Sequence, residues 1–150
     1  LGKAGAAGQT LSVTYDDLVD LEHSVAPAYR SNAGFMFHDS TLRTLKKLKD
    51  SQGRPLWRPG VTGGDANDIL GYRYTINQSM PVMAANARSI LFGDFRQYKV
   101  RDVMQITMFR FADSKYVEKG QIAFLAWMRA DGKLIAPSNA AIKHYANSAT

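Results

Sequence analysis

The sequence predicts an α+β protein, and three observations carry that expectation. Apolar residues recur at helical spacing in the first third of the chain, where Leu18, Leu21 and Val25, then Leu42, Leu45 and Leu48, each mark one face. After residue 68 the period shortens to two, with Tyr72, Tyr74 and Ile76 alternating with Arg73, Thr75 and Asn77. Helices early and strands late, with no internal repeat, describe an α+β unit. At 150 residues the chain has the size of one ordinary domain, able to bury about 68–70% of its unfolded surface without a metal or disulfide staple.

The Gly- and Ala-rich opening reads as a flexible lead-in over residues 1–12. Its glycines stand three apart, which is not the Gly-x-Gly-x-x-Gly spacing of a dinucleotide loop. Thr14-x-x-Asp17 resembles a capping box and predicts a helix start, with Pro27 ending that helix or sitting in its frayed last turn. Phe35-Met36-Phe37 reads as a short buried strand. Asp39 or Ser40 is expected to cap a second helix, and Asp50-Ser51-Gln52-Gly53 to stop it, with Trp57 closing the end of the core. Arg54 to Asp68 is a loop punctuated by Pro55, Pro59, Gly60, Gly63 and Gly64, long enough to be a working surface.

Ile90-Leu91-Phe92, bounded by Gly93-Asp94, reads as a central strand buried on both faces. Tyr98, Val100, Met104, Ile106 and Met108 share one strand face, interrupted by Asp102. Ile122 to Arg129 is a last strong strand before an Asp131-Gly132 turn, with a short segment to Tyr145 behind it.

Composition excludes several classes. An apolar fraction of 45% and a charged fraction of 21% are globular values and leave no room for global disorder or a fibrous repeat. The absence of cysteine removes disulfide scaffolds, thiolate metal sites and cysteine nucleophiles. The apolar runs are too short to span a bilayer, and no membrane partner is expected. Leu1 in place of an initiator methionine points to a fragment or a processed product. The net charge of +6 is uneven: residues 1–75 hold nine Lys/Arg against eight Asp/Glu, and residues 76–150 hold ten against five. A basic second half suits an anionic partner, nucleic acid included.

Residues that carry chemistry are sparse. His23, His38 and His144 lack the His-x-x-x-His pairing of a metal site. His38-Asp39-Ser40 contains the letters of a hydrolase triad, but adjacent side chains diverge, and a helix cap is the better reading of Ser40. Residues 63–68, Gly-Gly-Asp-Ala-Asn-Asp, lack both the Lys-Ser/Thr of a phosphate loop and the closing Glu of a calcium loop. Only two glutamates exist, and most of the eleven aspartates fall at helix starts or turns. No enzyme, metal or cofactor is expected.

Four blocks in order resemble the major capsid protein family of tailed phages, the Hong Kong 97 fold. Leu21 to Trp57 is similar to a stretch in which a helix leads through Tyr-Arg to a strand and a helix ending Lys-Asp-x-x-Gly-Arg-x-Leu-Trp. Ile69-Leu70-Gly71-Tyr72 with Met80-Pro81 resembles a Leu-Gly and Met-Pro signature. Ser89 to Asp102 resembles a Phe-Gly-Asp-Phe block and its strand, and Arg129-Ala130-Asp131-Gly132 with Ala140-Ala141 resembles the closing segment. The resemblance implies an axial domain with a mixed β-sheet flanked by helices over residues 13–120, and a returning peripheral-domain strand over residues 121–150. The arm, the extended hairpin and most of the spine helix of the family's plan would be missing, and no crosslinking residue carries over.

The implied function is mechanical: a subunit of an icosahedral phage or prophage head that self-assembles into pentamers and hexamers around DNA. It would be assembled in the bacterial host cytoplasm and located in the virion. The resemblance also implies scaffold, protease and portal proteins as partners. Candidate capsomer contacts lie on the Arg54–Asp68 loop (Arg54, Arg58, Asp65, Asn67, Asp68) and the Ala112–Gly120 turn (Asp113, Lys115, Glu118, Lys119). Arg96, Lys99, Arg101 and Arg110 are candidate charges for non-specific DNA contact or for a neighbour's acids, such as Asp16, Asp17, Asp20 and Glu22. The alternatives are the shell of a gene transfer agent or an encapsulin-like nanocompartment, and a small basic DNA-binding module.

Overall fold

Thr14 opens helix α1 (Tyr15–Ser24) in the computed structural model, which describes residues 1–50, 52–54, 68–103, 106–111, 114–136 and 140–150, without the side chains of Ser114 and Val117. The expected capping box is present. Asp17 N–H donates to Thr14 Oγ1 at 3.3 Å, and Asp17 Oδ2 accepts from Thr14 N–H at 3.0 Å and from its hydroxyl at 2.6 Å. Leu18, Leu21 and Val25 are buried as their spacing predicts. Pro27 does not lie in the last turn of α1. It starts a separate short helix, α2 (Pro27–Arg30), where the missing N–H costs nothing.

The cap of α3 (Asp39–Lys46) is neither Asp39 nor Ser40. His38 takes that role, its Nδ1 accepting from Ser40 N–H at 3.0 Å and meeting Ser40 Oγ at 2.8 Å. Ser40 and His38 therefore do touch, through a ring nitrogen already committed to the backbone. Leu42 and Leu45 bury, while Leu48 lies beyond the helix end and packs at the core's edge. Trp57 lies outside the described residues.

The described chain divides into two units, Leu1–Gln97 with Ala136–Thr150, and Tyr98–Ile135. Within the second unit, residues 130–134 pair with 98–102 and residues 123–127 with 107–111. The first unit holds a six-stranded mixed sheet of β1 (Lys3–Ala4), β2 (Gly34–Phe37), β3 (Asp68–Ile69), β4 (Tyr72–Ile76), β5 (Ile90–Gly93) and β10 (Ile142–Ala146), in the order β1-β10-β5-β2-β4-β3. Strand β5 is central and antiparallel to both neighbours, Phe92 opposite Phe35 and Ile90 opposite Phe37 and Tyr145. All five side chains are buried. The second face of β5 is not buried as expected: Leu91, with Met36 and His144 opposite it, is half-buried, so only one face meets the core. Phe35 and Phe92 rings lie 4.4 Å apart, with the Tyr72 ring edge-on to Phe92 at 5.0 Å. The opening segment is not a free lead-in. Strand β1 runs parallel to β10, and Gly2, Gly5 and Gly8 N–H groups donate to the carbonyls of His144, Ala146 and Thr150.

The second unit contains two ribbons and the short helix α4 (Ser114–Val117). Strand β6 (Tyr98–Asp102) pairs with β9 (Ala130–Leu134), and β7 (Thr107–Phe111) with β8 (Ala123–Trp127), all antiparallel. Asp131-Gly132, expected as a turn, stands in mid-strand opposite Arg101 and Val100. Gly132 leaves room for the outer edge of the half-exposed Tyr98 ring, which a Cβ there would push aside. The single long face expected from Tyr98 to Met108 divides between β6 and β7, and Met104 lies outside the described residues. One face of β6–β9 is apolar (Tyr98, Val100, Leu134) and the other charged (Lys99, Arg101, Asp131, Lys133). In β7–β8 both faces are apolar, Phe109 opposite Leu125 on one and Met108 opposite Ala126 on the other. Val100, Met108 and Phe124 nonetheless remain 63–64% exposed. A two-stranded ribbon alone is marginal in water, so these faces call for a cover.

Two predictions follow from this contrast. Phe92→Ala destabilises the first unit by roughly 3–5 kcal/mol in urea unfolding, whereas Phe124→Ala changes stability by less than about 0.5 kcal/mol; similar losses at both positions would contradict the burial described. Gly93, at φ 149°, has no room for a side chain against the Ala141 carbonyl, so Gly93→Ala costs at least about 1–3 kcal/mol from backbone strain alone. Unchanged unfolding of that variant would refute the β5–β10 geometry.

Candidate functional site

The candidate contact loops differ in how much of them the structure describes. Arg58, Asp65, Asn67 and Asp113 lie outside the described residues. Arg54 is fixed by Asp50, whose Oδ1 accepts from the Arg54 and Gln52 N–H groups at 2.8 and 2.9 Å and whose Oδ2 meets Arg54 Nε at 3.0 Å. The Arg54 N–H holds the Asp50 carboxyl below its ordinary value of 3.8, assisted by the Arg54 side chain and the Gln52 N–H and opposed by burial. Gly53, at φ 79°, turns the chain between them. Asp68 begins β3 opposite Arg73.

In the second unit, α4 and the turn after it are tied by backbone bonds, with Lys119 and Gln121 N–H both donating to the Tyr116 carbonyl. Lys115, Glu118 and Lys119 are exposed around it, and Lys115 Nζ stands 6.0 Å from the Tyr116 ring centre.

The candidate cations separate. Lys99 and Arg101 share the charged face of β6–β9, where Lys133 lies directly opposite Lys99, an unfavourable like-charge pair, and Asp131 opposite Arg101. Arg110 sits on β7 opposite Phe124, on an otherwise apolar face. Arg96 belongs to the first unit, in a 3₁₀ turn (Phe95–Gln97) held by Asp94, which accepts from Arg96 N–H and Gln97 Nε2. The acids offered as complements are largely engaged: Asp17 in the capping box, Asp20 with Lys3 Nζ at 2.5 Å, and Glu22 with the Tyr72 hydroxyl at 3.1 Å.

Two residues not singled out from the sequence join Arg96 in one cleft, Arg30 and Arg73. Neither has a local signal, since positions 30, 73 and 96 meet only through the fold. Among the described residues, no group of His, Asp and Glu is placed to hold a metal, and no helix is long and apolar enough to cross a membrane.

A family model described as the phage capsid family matches residues 1–146. Among solved structures, the capsid of a native GTA particle computed with C5 symmetry is similar at 31% identity and a TM-score of 0.73, covering 97% of this chain and 48% of that one. The capsid of an empty GTA particle gives 28% identity and 0.69, covering 98% and 54%. A chain from Gordonia phage Cozz, at 17% identity and 0.67 over 99% and 50%, shares the fold. The chain thus spans about half the length of the structures it matches. No curated protein matches it significantly.

The Asp50–Arg54 turn predicts a titration. With its folded value depressed, Asp50 contributes stability above pH 3.8 that is lost as pH falls through the lower value. By carbonyl NMR, Asp50 titrates below 3.8, and Arg54→Gln raises the midpoint only part of the way, because the backbone donors remain. Full reversion in Arg54→Gln would show that the guanidinium dominates.

Proposed function

The chain belongs to the phage capsid family, and from that premise we propose that it is part of a structural subunit that assembles, many copies at a time, into a closed icosahedral head around DNA. The observation that carries this reading is the match to a GTA capsid along 97% of the chain at 31% identity. A mechanical role suits the chemistry of the described residues. His38, one of the triad letters, caps a helix, while Asp17 closes a capping box and Asp50 holds a turn.

Head-to-tail contacts between identical copies close into rings when the rotation permits, which is what five- and six-membered capsomers need. Each contact can be modest, because a ring already partly formed presents the next copy at high effective concentration. The Arg54–Asp68 loop and the Ala112–Gly120 turn are the proposed contact edges, and residues 13–120 and 121–150 keep their proposed axial and peripheral roles. The bare faces of β6–β9 and β7–β8 fit this reading, since a subunit about twice as long, or its neighbours, would cover them. The proposed place of the protein is the virion, after assembly in the bacterial cytoplasm with scaffold, protease and portal proteins.

The shell of a gene transfer agent is the second reading, favoured by the 28–31% identity to GTA capsids against 17% to the Gordonia phage chain. Portal, terminase and protease genes alone would not separate it from a phage head; the DNA inside purified particles would, being host fragments in one case and a single phage genome in the other. Expression of the complete reading frame should give closed particles by electron microscopy. Soluble monomers under every assembly condition would defeat the capsid reading in both forms.

A further inference from the structure

Three arginines from distant parts of the first unit converge on one cleft. Arg30, Arg73 and Arg96 line it with Asn32, Gly71 and Tyr72 around a volume of about 470 Å3, and no carboxylate residue is among its lining. Arg30 is held in place by neutral groups: its Nε donates to the Val25 carbonyl at 2.8 Å and its Nη2 to the His23 carbonyl at 3.0 Å. Those bonds orient the guanidinium without neutralising it. Arg73 and Arg96 are exposed and form no ion pair among the described residues, although Asp68 stands opposite Arg73 in the strand register. Glu22, outside the lining, accepts from the hydroxyl of Tyr72, a lining residue, at 3.1 Å, and offsets part of the positive charge on that side only.

We propose that this cleft is a phosphodiester-binding site that seats the backbone of nucleic acid. Like charges gathered without an acid repel one another, and an oxyanion relieves that repulsion. Arginine is the side chain whose planar fork matches phosphate oxygens two at a time, and three of them can span neighbouring phosphates. A lone carboxylate from a second copy fits less well, because it carries one charge where a phosphodiester backbone offers a row of oxyanions to three guanidinium groups. Contacts of this kind position a strand and read no sequence. Nucleic acid as the source of the phosphate rests on the capsid reading; the chemistry of the cleft does not.

The test compares the chain with R73Q/R96Q and with K47Q/K49Q, which removes equal charge from exposed lysines outside the cleft. Arg30 stays, because its loss would disturb the end of α1. Binding of a fluorescein-labelled DNA duplex is followed across salt concentration, with circular dichroism confirming that both variants fold. In R73Q/R96Q the slope of log affinity against log salt should shrink by about 1.8, roughly 0.9 for each lost phosphate contact, while K47Q/K49Q keeps more than half of the original slope and affinity. Equal weakening in both variants would reduce the cleft to part of a diffuse field and overturn the proposal. So would a cleft that binds inorganic pyrophosphate but no duplex, or one whose loss abolishes self-association in ultracentrifugation and leaves DNA binding intact. The two readings fail separately: closed particles from the complete reading frame without cleft-dependent DNA binding sink this proposal alone, and cleft-dependent binding without particles sinks the capsid reading alone.

Discussion

Strand β5 is hydrogen-bonded along both edges, and the first unit is arranged around that constraint. Its antiparallel partners lie far from it in the chain on either side, residues 34–37 before it and 142–146 after it. The pairing places Phe92 on Phe35, and Ile90 between Phe37 and Tyr145, before any helix is considered. Helix α1 then has one surface to cover, which its Leu18–Leu21–Val25 stripe matches. Gly93 lets β10 approach closely at the strand's end, and Asp94 N–H extends the contact to the Ala141 carbonyl at 2.9 Å. Remove β5, and the β1–β10 pair loses its link to β2 and β4.

The second unit has no such centre. Its strands pair locally and leave large apolar side chains in water on three of four ribbon faces. Burying a side chain the size of Phe or Leu is worth roughly 1.5–3 kcal/mol, so leaving many of them exposed forgoes a sum comparable with a domain's whole stability. Under the proposed function, such a surface would be covered by further chain or by neighbouring copies. That agrees with matched structures about twice as long as this sequence.

Local physics was legible in the sequence, and distant pairing was not. The capping box at Thr14, the apolar stripes of α1 and α3, the strand at Phe35–Phe37 and the central strand at Ile90–Phe92 all follow from short windows. The misread features depend on residues far away. The Gly/Ala opening looks like a linker until β10 supplies partners for its N–H groups. Asp131-Gly132 looks like a turn until Tyr98 packs over the glycine. His38 outranks Ser40 as the cap of α3 because its ring nitrogen reaches the N–H two residues on, a geometry no propensity scale favours. The arginine cleft could not be read at all, since its three members have ordinary neighbours and meet only after β4 and the turn following β5 are in place.

The net charge takes on a different meaning once these contacts are counted. A value of +6 in the sequence describes only a surplus, but the fold decides which charges remain available. Asp17, Asp20, Glu22, Asp50 and Asp94 of the first unit are spent close to home, on a helix start, a lysine at β1, a tyrosine hydroxyl and two turns. The cations at Arg73, Arg96, Lys99 and Lys133 are left without such partners among the described residues. Exposed charges interact over about 8 Å at physiological ionic strength and respond to salt, whereas buried apolar faces hold permanently. A shell subunit needs both kinds of surface: apolar faces that stay covered, and charged ones that can be tried, released and tried again while copies find their places.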